Sequence, residues 1–192
     1  KAGEEGLFMM PSFDQVLVAG VGTYALELFR TVADLDTVYV PIGLGSGICG
    51  VISARDALGS KVAVVGVVAE GAPCYKHSFE AGVCVSTNSS NTFAAGVACR
   101  VPVQAALDTI RTGADRVVAV NDDEIRAAIR VYFTDTHSAV EGAGAVALAA
   151  LLQERTRMKG KKVGVIVSGG NVDMADFHAI IGDVRESAVT VN

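Results

Sequence analysis

The sequence predicts a doubly wound α/β domain, a mostly parallel sheet with helices on both faces. Three observations carry that expectation. Short β-branched runs are nearly continuous in apolar residues, as strands covered on both faces must be. These runs alternate with helical patterns, the order that a parallel sheet with crossover helices requires. Glycines are plentiful (21, against 4 prolines) and several cluster between a strand pattern and the next helix pattern.

The first strand pattern is Thr37-Val38-Tyr39-Val40-Pro41-Ile42, and others follow at residues 62–69, 116–120 and 163–167. Residues 47–58 place apolar side chains at helical spacing. A second helix is expected over 102–111, where Pro102 stands near the first turn. Asn121 with Glu124 three residues on has the form of a capping box. Residues 141–157 are rich in Ala and Leu, a strong helix composition. Residues 1–12 read as a lead-in segment with no element of their own. With no internal repeat, linker or low-complexity tract, residues 1–192 read as one α/β domain. Its abrupt start is expected to mark the carboxyl-terminal part of a longer polypeptide.

Composition narrows the function classes. The chain has 192 residues, 51% of them hydrophobic and 19% charged, enough for one sizeable core. A net charge of −5 argues against a nucleic-acid partner, since no basic patch is available to neutralise phosphates. The basic cluster Lys159, Lys161 and Lys162 reads as a solvated loop. Cys49, Cys74, Cys84 and Cys99 lack metal-ligand spacing and read as small core residues of a reducing compartment. No metal site is therefore expected. No apolar run is long enough to span a membrane, and no signal-peptide pattern is present, so a cytoplasmic location is the expectation. His77, His137 and His178 are isolated in sequence and read as surface or satisfied polar residues rather than catalytic bases.

The sharpest feature is Gly43-Leu44-Gly45-Ser46-Gly47, between the first strand and a helix. Such a turn points backbone N–H groups outward, adds the positive end of the helix dipole and admits close approach. It is expected to hold a cofactor phosphate, with a tight turn that binds nothing as the competing reading. Gly45-Ser46-Gly47-Ile48-Cys49-Gly50 also matches a dinucleotide fingerprint, and Glu70 follows where a ribose-binding acid would stand. Pro41 and Gly43 count against that alternative, because they place the turn ahead of the expected first glycine.

Three more segments are punctuated in ways that a plain core does not need. They are Thr92-Phe93-Ala94-Ala95-Gly96, Glu141-Gly142-Ala143-Gly144 and Ser168-Gly169-Gly170-Asn171. Ser168 follows a strand pattern, at the carboxyl end where open sheets bind ligands. Glu141 opens a helix, where an acid either favours the N-terminus or faces a ligand. In this order the segments resemble the fold-type II pyridoxal-phosphate enzymes, specifically the threonine and serine dehydratase group. Val40-Pro41-Ile42-Gly43 is similar to the strand end before that family's phosphate loop, with Leu44 and Ser46 replacing two usual glycines. Gly20-Val21-Gly22-Thr23-Tyr24-Ala25-Leu26-Glu27 is similar to the preceding helix.

The resemblance implies that Gly43, Leu44, Gly45, Ser46 and Gly47 bind the phosphate of pyridoxal 5'-phosphate. It implies that Ser168 hydrogen-bonds the pyridine nitrogen and that Glu141 lies near the ring. Glu70 matches a cation-binding position of some members, but the segment after it is short and offers no second carboxylate. The chemistry needs a Schiff-base lysine, and none of Lys1, Lys61, Lys76, Lys159, Lys161 and Lys162 has the family context. No catalytic residue is therefore assigned to this chain, and the lysine is expected upstream. By resemblance, the complete enzyme is an ammonia-lyase that converts a hydroxyl amino acid to a 2-oxo acid and ammonia, and is a homodimer. The chain alone is expected to be inactive. An NAD(P)-binding oxidoreductase domain and a non-catalytic remnant of the fold stand as alternatives.

Overall fold

The computed structural model describes residues 3–183. Four strands form one sheet: β1 (Thr37–Pro41), β2 (Ala63–Ala69), β3 (Arg116–Val120) and β4 (Val163–Val165). Their spatial order is β3-β2-β1-β4, and every pair is parallel. Register is set by Thr37 opposite both Ala63 and Val163, and by Val65 opposite Arg116. The chain therefore winds from β1 to β2 and β3 on one side, then returns to place β4 on the other.

Among the described residues, seven α-helices flank the sheet: α1 (Gln15–Thr31), α2 (Ser46–Ala57), α3 (Cys74–Ala81), α4 (Gln104–Gly113), α5 (Asp122–Thr136), α6 (Gly142–Gln153) and α7 (Met174–Gly182). Strand side chains alternate between two cores, as the period of two demands. Tyr39, Val65, Val67 and Ala69 face a cluster built with Ile125, Ile129, Val146 and Ala150 of α5 and α6. Val38, Val40, Val64 and Val68 face the other, with Ala25 of α1, Ile48 and Val51 of α2, and Ile110 of α4. Each fully buried Val or Ile stabilises the fold by roughly 1.5–3 kcal/mol relative to exposure. Helices α1 and α2 meet backbone to backbone, since a Cβ on Gly50 would stand 2.9 Å from the Gly22 nitrogen. That contact brings α1 alongside the turn after β1.

Most expected elements are present, with shifted ends. The capping box forms: Asn121 accepts from the Glu124 N–H at 2.9 Å, and Glu124 accepts from the Asn121 N–H at 2.8 Å. Helix α4 begins two residues after Pro102, at Gln104. Helix α6 stops at Gln153 because Glu154 turns away to pair with Arg116 and Tyr39. Strand β4 ends at Val165, although Ile166 still donates to the Tyr39 carbonyl at 3.0 Å. Helices α3 and α7 were not legible as patterns.

Lys159, Lys161 and Lys162 lie in an exposed loop as expected, and Lys162 within it also pairs with Asp34 through its ammonium and donates its backbone N–H to Asp36 at 2.7 Å beside the start of β4. Cys49 and Cys74 are buried as expected of small core residues, but Cys84 is exposed and Cys99 half-buried. Among the described residues no helix is long and apolar enough to cross a membrane.

Candidate functional site

The carboxyl ends of β1 and β4 mark the point where the winding reverses. Successive loops leave in opposite directions there and open a crevice, the usual ligand position in open α/β sheets. A cavity of about 830 Å³ occupies it. Its walls are the glycine turn 43–47, Gly20, Val21, Thr23 and Tyr24 on α1, Gly96 and Val97, Glu141 and Ala143, and the strand end from Val165 to Ser168. All seven residues expected at a cofactor site, Gly43, Leu44, Gly45, Ser46, Gly47, Glu141 and Ser168, line this one cavity.

The turn's geometry follows from its glycines. Gly45 is the N-cap of α2 at φ 102°, a left-handed conformation that costs little only without a Cβ. A Cβ on Gly45 would also fall 2.7 Å from the Ala106 methyl. At Gly43 it would fall 2.3 Å from the Gly96 carbonyl oxygen, so the 92–97 loop can close over the turn only above a glycine. Gly47 differs, because its nearest neighbour would be the Tyr24 hydroxyl at 3.8 Å. The open space beside Gly47 belongs to the cavity.

No side chain caps α2. Its first-turn N–H groups have no intrahelical partner by geometry and border the cavity, where the helix dipole adds positive potential. Among the described residues no Lys, Arg or His lines the cavity, and Glu141 is the one carboxylate that does. Attraction for an anion therefore comes from backbone dipoles. Burial pushes the Tyr24 phenol up to about 12, which keeps it a neutral hydrogen-bonding group beside the turn. Its hydroxyl donates to the Gly47 carbonyl at 3.4 Å.

Glu141 is the N-cap of α6, but its carboxylate makes no cap hydrogen bond. Instead the 168–171 segment packs on it. Glu141 donates its N–H to the Gly169 carbonyl at 3.2 Å, and a Cβ on Gly169 would meet Glu141 Oε1 at 2.3 Å. A Cβ on Gly144 would meet the Gly169 carbonyl at 2.4 Å, and one on Gly170 the Ala139 carbonyl at 2.7 Å. The glycines of both segments are thus needed for contact between them. That contact sets Ser168 and Glu141 on one wall, facing the turn.

Three supporting residues, Tyr75, Asp122 and Tyr24, have no site role that the sequence reveals. Tyr75 of α3 donates to the Leu44 carbonyl at 2.6 Å and accepts from the Val103 N–H at 3.0 Å, tying the turn to α3 and α4. Burial drives its phenol well above the ordinary tyrosine range. Asp122 accepts from Thr92 Oγ1 at 2.6 Å and from the Phe93 N–H at 3.3 Å, so the loop that covers Gly43 is fastened to α5. Asp122 was legible only as part of the capping box. Tyr24 sat inside a noted helix segment without a role.

Glu70 is exposed at the end of β2 and lines no part of the cavity. The ground beside it is covered, since a Cβ on Gly71 would fall 1.8 Å from the Asn91 carbonyl. A dinucleotide running from the glycine turn toward Glu70 finds no groove there. Among the described residues no three His, Cys, Asp or Glu side chains gather to hold a metal.

Fold and cavity together define a parallel α/β domain with a glycine-lined crevice at the reversal of its sheet, bordered by the uncapped start of α2. The chain belongs to the pyridoxal-phosphate dependent enzyme family, whose profile matches residues 1–169. The L-threonine ammonia-lyase of Thermotoga maritima is 35% identical over 175 residues, covering 91% of this chain and 43% of that protein. The phenylserine dehydratase of Ralstonia pickettii is 37% identical over 181 residues, covering 93% of this chain and 56% of the relative. The structure of maize serine racemase superposes with a TM-score of 0.85 at 31% identity, over 93% of this chain and 57% of the racemase. The chain spans about half the length of the curated relatives it matches.

Proposed function

We propose that this chain is the cofactor-phosphate portion of a pyridoxal-phosphate dependent ammonia-lyase acting on a hydroxyl amino acid. The observation that carries the reading is the α2 start. Uncapped N–H groups, glycines that admit no Cβ at positions 43 and 45, and open space at Gly47 face Glu141 and Ser168 across one cavity. The donor set fits pyridoxal phosphate: backbone dipoles for a phosphate and a hydroxyl for a ring nitrogen.

In this reading Gly43, Leu44, Gly45, Ser46 and Gly47 hold the phosphate, with the Ser46 hydroxyl free to add a donor. Ser168 faces the pyridine nitrogen; a hydroxyl, unlike a carboxylate, does not hold that nitrogen protonated. Glu141 borders the ring. The bound cofactor supplies an electron sink that eases loss of the amino acid's α-proton. Lys61, Lys76, Lys159, Lys161 and Lys162 do not line the cavity, and Lys1 is outside the described residues. We therefore assign the Schiff-base lysine to a part of the polypeptide outside this α/β domain. The named activities of the relatives, on threonine and phenylserine and as a serine racemase, support a small hydroxyl amino acid as the substrate class. We further assign a cytoplasmic, homodimeric enzyme without a nucleic-acid or membrane partner.

Titration with pyridoxal phosphate, pyridoxal and NAD tests the site. The expected result is saturable binding of the first, much weaker binding of pyridoxal, and none of NAD. Equal affinity for pyridoxal and its phosphate would overturn the assignment of the turn. Release of ammonia and a 2-oxo acid from threonine or serine by the longer polypeptide, and not by this chain, tests the activity.

A further inference from the structure

Among the described residues, four side-chain hydroxyls line the cavity: those of Thr23 and Tyr24 on α1, Ser46 on α2, and Ser168. Thr23 turns back on its own helix and donates to the Gly20 carbonyl at 2.8 Å. Ser168 belongs to the wall that faces the turn. Tyr24 stands beside the turn itself, and the contact between α1 and α2 puts it there. Gly22 and Gly50 meet backbone to backbone, with a Cβ on Gly22 falling 3.3 Å from the Gly50 carbonyl oxygen. Tyr24 follows Gly22 on one helix and Gly47 precedes Gly50 on the other, so the phenol reaches the first turn of α2. A Cβ on Gly47 would lie 3.8 Å from the Tyr24 hydroxyl.

Two other tyrosines show what a committed hydroxyl looks like in this fold. Tyr39 donates to Glu154 at 2.5 Å and accepts from Arg116 at 3.2 Å. Tyr75 donates to the Leu44 carbonyl at 2.6 Å and accepts from the Val103 N–H at 3.0 Å. The Tyr24 hydroxyl reaches the Gly47 carbonyl at 3.4 Å, far longer than the roughly 2.7–2.8 Å usual for an O–H···O bond. Its side chain packs against the core that holds Ala25, Ile48 and Val51, so that slack bond is not what fixes the ring.

We infer that the Tyr24 hydroxyl donates to the phosphate held at this turn, adding a side-chain donor from α1 to the backbone N–H groups of α2. The inference rests on the functional reading above. Donation gives up one long hydrogen bond to a carbonyl and gains one to an anion, and bonds to charged groups are the stronger kind. No Lys, Arg or His among the described residues lines the cavity, so a neutral donor beside Gly47 meets no cation competing for the same oxygen. Burial pushes the phenol up to about 12, whereas a phosphate monoester loses its second proton near about pH 6. Between those values the phenol keeps its proton and the phosphate is a full acceptor. Tyr24 thereby helps to separate a phosphorylated ligand from the same ligand without its phosphate.

The test titrates the purified full chain and its Tyr24→Phe variant with pyridoxal phosphate and with pyridoxal. Phenylalanine keeps the ring and its packing, so the variant should melt with the parent. Affinity for pyridoxal phosphate should fall about tenfold, the low end for a hydrogen bond to a charged group, while affinity for pyridoxal stays the same. Losses of equal size for both ligands, or no loss for either, would reduce Tyr24 to packing and overturn the inference. Phosphorus NMR of the bound phosphate supplies a second readout. A donor favours the dianion, so the phosphate should take up its proton at a higher pH in Tyr24→Phe than in the parent; coincident titrations count against Tyr24. A parent that binds the two ligands equally fails the functional reading and this inference with it. A parent that prefers the phosphate, beside a variant with the same preference, fails this inference alone.

Discussion

The two ends of the sheet solve the problem of buried polarity in opposite ways. At the carboxyl end, no cationic side chain among the described residues lines the cavity, and uncapped backbone N–H groups beside glycines border it. At the amino end, charge is gathered and paired. Glu154 accepts from Tyr39 at 2.5 Å and from Arg116, and Arg116 also pairs with Asp115. Arg116 further stacks over the Tyr39 ring, 5.8 Å from its centroid. At the paired end Arg116 and Glu154 satisfy each other, whereas the start of α2 at the other end keeps donors without a side-chain cap. Paired side-chain charges gather at one end, and the weaker field of peptide dipoles borders the proposed cofactor cavity at the other.

Gly43→Ala is the largest expected break, because its Cβ would sit 2.3 Å from the Gly96 oxygen. Overpacking of this kind costs about 1–3 kcal/mol, and the displaced turn should lose roughly a hundredfold in pyridoxal-phosphate affinity at the upper end. Gly47→Ala sharpens the point, since a Cβ there meets nothing closer than 3.8 Å. That variant should melt like the parent while its affinity falls. Calorimetric melting beside a cofactor titration separates the two, and a Gly47→Ala protein that binds normally would remove the phosphate from that position.

At the opposite end the pattern should invert. Glu154→Ala strands Arg116 and the Tyr39 hydroxyl in a region where the paired side chains keep only 15–17% exposure. Breaking a fully buried pair costs about 3–5 kcal/mol, and the remaining solvent contact here reduces that to about 2 kcal/mol. Urea denaturation should show the loss, with pyridoxal-phosphate affinity unchanged. A fall in affinity would mean that the two ends are coupled.

The same pair sets an acid response. Burial would raise the Glu154 carboxyl, but hydrogen bonds from Arg116 and Tyr39 outweigh it and hold the group below its ordinary 4.5. A group lowered on folding stabilises the protein above its unfolded value and ceases to do so as pH falls through the folded one. Stability should therefore decline below about pH 4.5, and Glu154→Gln should flatten that decline while lowering stability at neutral pH. Urea midpoints between neutral and acid pH measure it.

How much of this contrast could be read from the chain alone differs between its ends. The turn at Gly43 to Gly47 was visible because strand, glycines and helix are contiguous, and local geometry decides their shape. Ser168 and Glu141 were visible as separate segments, but their meeting rests on clearances at Gly144, Gly169 and Gly170 that only packing reveals. Tyr75 and Asp122 reach the turn and its covering loop from 31 and 30 residues away, with no local mark. Glu154 looked like one more helix residue, since its partners Arg116 and Tyr39 stand on two different strands. Helices α3 and α7 escaped for a related reason: both are short, at 8 and 9 residues, and show little more than two turns of pattern.

The smallest effect is the one that bears most on chemistry. Ser168 is exposed and follows β4, so Ser168→Ala should change stability by no more than about 0.5 kcal/mol. If its hydroxyl serves the pyridine nitrogen, one neutral hydrogen bond of about 1 kcal/mol is lost, a roughly fivefold drop in affinity. Ser168→Asp distinguishes that role from simple contact. A carboxylate opposite a ring nitrogen favours the protonated ring, so the visible absorbance of the bound cofactor and its pH dependence should shift, whereas Ser168→Ala should alter affinity without that pH signature. An unshifted spectrum in Ser168→Asp, with binding intact, would place the ring nitrogen elsewhere in the cavity and leave Ser168 as part of its wall alone.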